Sequence, residues 1–335
     1  MSTGVNSSLW QGLRRWLPGL LISGIALWLV LRTVSWKDVG EALETMSLST
    51  LALAVLIYIV SMTARAVCWH TLLQRKVPFR RAFFVMNEGY LLNNIFPFRL
   101  GEVGRAVLLG NSSSIGILPV FSTIIVERSY DLVIASSLLL STLPLALAMD
   151  WARPLALAIL GIVVLGLSAV VVMARFRTPV MRWLERLPIR WNFYRNWLLP
   201  KFGSVLDGFS VLNRPSFLVF SLGLMLVSWS LAILQDYVLL RNVVPEAPLW
   251  WVGFVLGAAA IGAGLPSVAA AIGVFEAVVV GTLSLVGVAP GKALAFALVV
   301  HALQFTLSTS MGVIGLILEG ENLVSLYSKL TSRKK

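Results

Sequence analysis

The chain of 335 residues is 58% hydrophobic and 13% charged, with a mean hydropathy of +0.87. Soluble domains carry about 25% charged residues, so a soluble globular protein is excluded and a polytopic, all-α membrane protein is indicated. A formal charge of +12 would suggest nucleic acid in a soluble chain; here most basic residues fall where membrane topology needs them, and no nucleic acid is expected.

Arg14 and Arg15 precede an apolar run from Trp16 to Leu31. No small-residue cleavage site follows and the rest of a twin-arginine signal is missing, so the run reads as a first transmembrane helix. About 20 apolar residues cross the hydrocarbon core as a helix. Runs of this kind cover 16–34, 49–74, 116–148, 153–174, 215–241, 248–264, 270–288 and 292–318, giving about eight spans in a single transmembrane domain, 1–335. The single cysteine, Cys68, lies inside such a run, so neither a disulfide framework nor a Cys/His metal set is indicated, and no cofactor or metal is expected. His70 and His301 also lie in or near spans and read as structural.

Lys and Arg in short loops mark the cytoplasmic side. Arg75, Lys76, Arg80 and Arg81 follow the second run, and eight basic residues fill 175–214. Arg14 and Arg15 at one end and a basic tail, 319–335, at the other place both termini in the cytoplasm of an inner-membrane protein. The connections 35–48, 149–152 and 242–247 should face outward, the first with a short interfacial helix over 37–46. In the segment 175–214, Phe202, Val205, Leu206, Phe209 and Leu212 recur at helical spacing, while aromatic residues alternate with arginines. This predicts interfacial amphipathic helices, either as an anchoring belt or as a lipid-binding surface.

Residues 82–115 do not fit a plain span. They are apolar, yet carry Glu88, Arg99, Glu102 and Arg105 and are broken by Asn93, Asn94, Pro97, Gly101 and Gly104. Charges at membrane depth are costly and irregular backbone there must be buried in protein or line a polar cavity. With the preceding loop inside and the next long span running outward, 82–115 should enter from the cytoplasm and return to it as a re-entrant hairpin. Its turn would lie at 93–97, because proline removes a donor and disfavours helix before it.

Three groups carry candidate chemistry. Arg99, Glu102 and Arg105 are spaced to share one helical face, where guanidinium forks suit phosphate; an internal ion-pair network is the alternative. Glu127, Arg128 and Asp131 lie inside a span, so the acids need cationic partners. Arg128 can pair with Asp131, and Arg65, Arg99 or Arg105 would serve from other segments. Their role reads equally as structural or as ion coupling. The third group is 262–276, where Pro266, Ser267 and Gly273 interrupt an apolar run and Glu276 follows. Paired broken segments of this sort build transporter sites. Gln235 and Asp236 lie toward one end of their run, and Asp236 reads as interfacial. GxSxG, HExxH and GxxxxGK[ST] motifs are missing.

Three motifs, NNIFPFRLGEVGR at 93–105, ERSYDL at 127–132 and LPSVAAAIGVFE at 265–276, together resemble a flippase-like membrane family related to the transmembrane domain of lysylphosphatidylglycerol synthase. The likeness covers nearly the whole chain. It implies handling of a phospholipid or lipid-linked sugar, with anionic-headgroup lipids as partners and a separate lipid-modifying or glycosyl-transferring enzyme supplying the lipid. On this reading Arg99 and Arg105 hold the phosphate, Glu102 orients them, and Glu127, Asp131 and Glu276 line the path or couple it to protons. Bifunctional members continue into an aminoacyl-transferase domain, whereas this chain ends at Lys335, so synthesis of an aminoacylated lipid is not expected. One departure is that Ala270 and Ala271 stand where the family commonly has paired glycines. The alternatives are an integral-membrane transferase using Glu102 or Glu127 as base, or a non-catalytic partner in envelope assembly.

Overall fold

A computed structural model describes residues 23–96, 100–147, 175–186, 215–263 and 269–318, with isolated positions besides. The described residues are helical: α1 (Ser23–Thr33), α2 (Trp36–Glu44), α3 (Leu48–Leu72), α4 (Phe79–Ile95), α5 (Gly101–Ser112), α6 (Ile117–Leu147), α7 (Arg177–Arg186), α8 (Pro215–Val243), α9 (Leu249–Gly262), α10 (Val274–Leu285) and α11 (Pro290–Leu318), with a 3-10 turn at Ala269–Ala271. Four of them, α3, α6, α8 and α11, are long and apolar enough to cross a membrane. Helices α1, α9 and α10 are apolar but shorter, so the runs 248–264 and 270–288 are half-length elements. The run 153–174 and most of 175–214 lie outside the described residues, as does the tail 319–335.

Local chemistry sets the boundaries. Ser35 accepts a hydrogen bond from Asp38 N at the start of α2, and Ser47 accepts one from Thr50 N at the start of α3. Both satisfy backbone donors that a helix leaves open in its first turn. Phe96, which precedes Pro97, takes φ −103 and ψ 142 and ends α4, as the proline ring requires of its neighbour.

Helices α4 and α5 form an antiparallel pair. Asn93 meets Gly101, Gly89 meets Arg105 and Arg81 meets Ser112, so partners advance in opposite directions along the two helices. A side chain at Gly101 would collide with the carbonyl oxygen of Gly89, and this bare contact lets the backbones close on each other. Helices α9 and α10 also pack on each other, joined through residues 263–273. Around these two pairs, α3 packs on α8, α4 on α11, and α6 on α5 and α9.

The apolar core is divided in two. One cluster gathers Trp69, Leu72, Met86, Leu91, Leu109, Ile124 and Met225; the other gathers Val30, Leu239, Leu240, Leu283 and Phe296. Helices α3, α8 and α11 run through both. On α11, for example, Ala293 to Val300 belong to the second cluster and Leu316 to the first. The intervening turns are polar.

Candidate functional site

Those polar turns line a cavity of about 500 Å³, within the range of small-molecule sites. Three helices present it with the same spacing, i, i+3, i+7: Tyr58, Ser61 and Arg65 on α3, Arg128, Asp131 and Ala135 on α6, and His301, Gln304 and Ser308 on α11. This spacing places three residues on one helical stripe. Tyr90, Asn93, Asn94 and Phe96 add the end of α4, residues 259–263 the end of α9, and Ala270, Ala271, Val274 and Phe275 the break and the start of α10. The cavity therefore lies between the two apolar clusters, at the middle of the long helices.

One wall is an ion-pair network. Arg65 donates from Nη1 and Nη2 to the two carboxylate oxygens of Asp131, at 2.9 and 2.7 Å, and its Nη1 lies 3.4 Å from Glu127 Oε1. Arg105 donates to Glu127 Oε2 at 2.6 Å and places its guanidinium 4.0 Å from the centre of the Trp69 ring. Arg128 reaches Glu127 Oε1 at 2.9 Å and Asp131 Oδ2 at 3.2 Å. Trp229 Nε1 donates to Asp131 Oδ1 at 2.9 Å. Three guanidiniums face two carboxylates, an excess of one positive charge. Glu127 is fully buried and Arg105 nearly so, whereas the Arg128 side chain is 30% exposed. Arg128 Nε has no hydrogen-bond partner among the described residues. Among the described residues, Arg65 and Arg128 are therefore the cations that meet the cavity.

A second wall is polar. Asn94 Nδ2 donates to Ser308 Oγ and Thr309 Oγ1, both at 2.9 Å, fastening α4 to α11. His301 Nδ1 lies 2.6 Å from Glu276 Oε1, and its ring meets Phe275 edge-on at 5.0 Å. Glu276 Oε2 accepts from Gly273 N at 2.7 Å, capping α10. Gly273 stands at φ 85, a left-handed conformation natural to glycine. Ala270 and Ala271 take φ 55 and 58, a region where glycine is the favoured residue.

A family model described as the lysylphosphatidylglycerol synthase TM region matches residues 16–312. The chain belongs to that family. None of the curated proteins matches it. For this member of the lysylphosphatidylglycerol synthase TM family, the structure distributes the sequence candidates unevenly. Asn93, Asn94, Arg128 and Asp131 line the cavity, and Glu127 stands directly behind them. Gly273 and Glu276 sit behind His301. Pro97, Arg99, Pro266 and Ser267 lie outside the described residues.

Two expectations change. Arg105 and Glu102 do not act as one face: Arg105 is drawn into the α3–α5–α6 seam by Glu127 and Trp69, while Glu102 accepts from Asn93 Nδ2 at 3.4 Å across the hairpin. Helical spacing fixes where side chains leave the backbone, but their partners decide where the heads go. Asp236 is not interfacial; it is buried, with Gln235 Nε2 3.4 Å from its Oδ1, and Gln235 lines the cavity.

Residues that sequence reasoning missed are Tyr58, Tyr90, Gln304 and above all His301. For Tyr58, Gln304 and His301 the signal was present in the i, i+3, i+7 stripes of otherwise apolar helices. His70, by contrast, bonds Val77 O at 2.8 Å and closes the turn after α3.

Proposed function

We propose that the protein is a lipid translocase of the inner membrane, with both termini cytoplasmic, that accepts a phosphate-bearing headgroup in the cavity and passes it between leaflets. The observation that carries this reading is the cationic wall. It is mid-depth in the long helices, has one surplus positive charge, and presents Arg128, whose side chain is 30% exposed and whose second contact to Asp131 is long, at 3.2 Å. A headgroup phosphate would replace Asp131 on Arg128, since guanidinium binds phosphate oxygens in the same forked geometry as carboxylate. Asp131 would stay held by Arg65 and Trp229.

The family supports a lipid-related role, and the resemblance of 82–115 to a re-entrant hairpin supports entry from the cytoplasmic side. The antiparallel α4–α5 pair has the form such a hairpin needs. An integral-membrane transferase is favoured less, because the expected bases are poorly placed. Glu127 is enclosed by three guanidiniums and Glu102 is absent from the cavity lining.

The test is leaflet exchange of a fluorescent phospholipid in vesicles containing the purified protein. Arg128→Gln should slow exchange roughly tenfold, the size expected for losing one charged hydrogen bond. Exchange equal to that of protein-free vesicles in the unmodified protein, with turnover of the lipid to a new product, would establish the transferase instead. Exchange unaffected by Arg128→Gln would remove the cationic wall from the mechanism.

A further inference from the structure

The acids around the cavity are not equally provided for. Glu127 is enclosed by three guanidiniums, Asp131 is held by Arg65, Arg128 and Trp229, and Glu276 meets His301. Asp236 has no such partner. It is 3% exposed, and its one hydrogen bond among the described residues comes from Gln235 Nε2 at 3.4 Å, longer than an ordinary bond of this kind.

The register of α3 against α8 shows what faces it. Ser61 donates to Ser228 O and Asn242 donates to Thr50, so Asp236 falls opposite the stretch 50–61, whose one titratable side chain is Tyr58. Arg65, Cys68 and His70 lie beyond Ser61, toward the first cluster. Helices α6, α9 and α11 also pack on α8. The described residues of α9 include no titratable group; α6 brings Glu127, Arg128 and Asp131, which bond one another and Arg65, and Tyr130, which bonds Ser221. On α11, Lys292 is exposed and His301 is turned to Glu276. Within α8, Arg241 donates to Tyr237 Oη and to Pro245 O. No charged side chain among the described residues acts on Asp236.

One turn further along α8, Leu239 and Leu240 are fully buried in the second cluster, whereas Gln235 lines the cavity. Asp236 thus stands where the cavity meets apolar packing, and Gln235 joins it to the cavity. A carboxylate in that place gives up its water shell for one weak bond, a large cost that a bound proton removes. Glu127 and Asp131 differ, because a proton on either would leave buried guanidiniums without their counter-charge.

We infer that Asp236 is a proton-binding site, reached from the cavity beside Gln235, whose loading and release couple passage of the headgroup to a proton gradient. The proton adds to a carboxylate oxygen from one side of the membrane and leaves it for the other, and no other bond is made or broken. The coupling rests on the translocase reading; the proton site does not.

Two measurements separate them. Infrared spectra of the purified full-length protein at neutral pH should show the carbonyl stretch of a protonated carboxyl that Asp236→Asn lacks and Asp236→Glu shifts. In phosphatidylcholine vesicles carrying a trace of fluorescent phosphatidylglycerol, with the membrane potential clamped by potassium and valinomycin, a gradient of about one pH unit should gather the probe in one leaflet by up to about tenfold. That is the ratio one proton per lipid supports. Asp236→Asn should still exchange the probe but bring it to equal leaflets, and Asp236→Glu should keep part of the difference. Protein-free vesicles under the same gradient set the baseline.

Identical infrared spectra for the unmodified protein and Asp236→Asn would overturn the proton site. Equal leaflets in the unmodified protein while it exchanges the probe, or accumulation undiminished in Asp236→Asn, would overturn the coupling. Failure of the translocase reading has a different signature, no exchange by the unmodified protein above protein-free vesicles; the coupling then falls with it, and the infrared band alone decides the proton site.

Discussion

The molecule contains two broken helical pairs that end at the same cavity but are held by different forces. The α4–α5 pair carries Arg80, Arg81, Glu88, Glu102 and Arg105 and is fastened by polar contacts, from Asn93 to Gly101, Asn94 to Ser308 and Arg105 to Glu127. The α9–α10 pair carries one charged residue within its helices, Glu276, and is otherwise packed by apolar and small side chains such as Val252, Phe254 and Val279. In hydrocarbon, apolar packing gives little preference for one register over another, whereas a buried ion pair is strongly directional. The first pair is therefore the fixed wall of the site. The second, with two left-handed alanines at its break, is the wall whose backbone holds strain.

That contrast can be broken most forcefully at Glu127. Glu127→Ala leaves Arg105 buried against Trp69 without its carboxylate and should cost about 3–5 kcal/mol in reversible unfolding from detergent micelles. The double variant Glu127→Leu with Arg105→Met should recover most of it, as apolar replacement of a whole buried pair does. A single-variant cost under about 1 kcal/mol would mean that polar contacts do not hold the first pair.

The next effect separates the glycines of the two pairs. Gly101→Ala drives a methyl into the Gly89 carbonyl and should lower stability by about 1–3 kcal/mol. Gly281→Ala on α10 meets open space and should be neutral or stabilising by up to about 1 kcal/mol. Thermal unfolding of both variants in one detergent gives the comparison directly. The smallest effect is expected at the second break. Ala270→Gly relieves a left-handed alanine but frees the unfolded chain, for a net gain of about 0.5–1 kcal/mol. A loss of that size would contradict strain at this wall.

Membrane class, the helical architecture and the two interruptions were legible in the sequence because each is a local pattern: composition, run length, or a proline and glycines inside an apolar stretch. The Glu127–Arg128–Asp131 group was legible for a similar reason, since acids within a span need cations, and the cations available were few. Arg65 and Arg105 supply them. What spacing alone did not give was the facing of Arg105, which depends on Trp69 and Glu127 from two other helices. His301 was read as structural, and its contact with Glu276, 25 residues away on another helix, left no local signal in the sequence. Asp236 was misread because its distance from the end of α8 counts for less than the neighbours that bury it.

The division of the core has a mechanical consequence. Helices α3, α8 and α11 run unbroken past the cavity and are gripped by apolar packing at both ends, so they serve as posts. Helices α4, α9 and α10 each stop at the cavity, and each adds buried side chains to one grip only, α4 to the first cluster and α9 and α10 to the second. Among the described helices the posts alone tie the two apolar ends together across the polar middle of the protein.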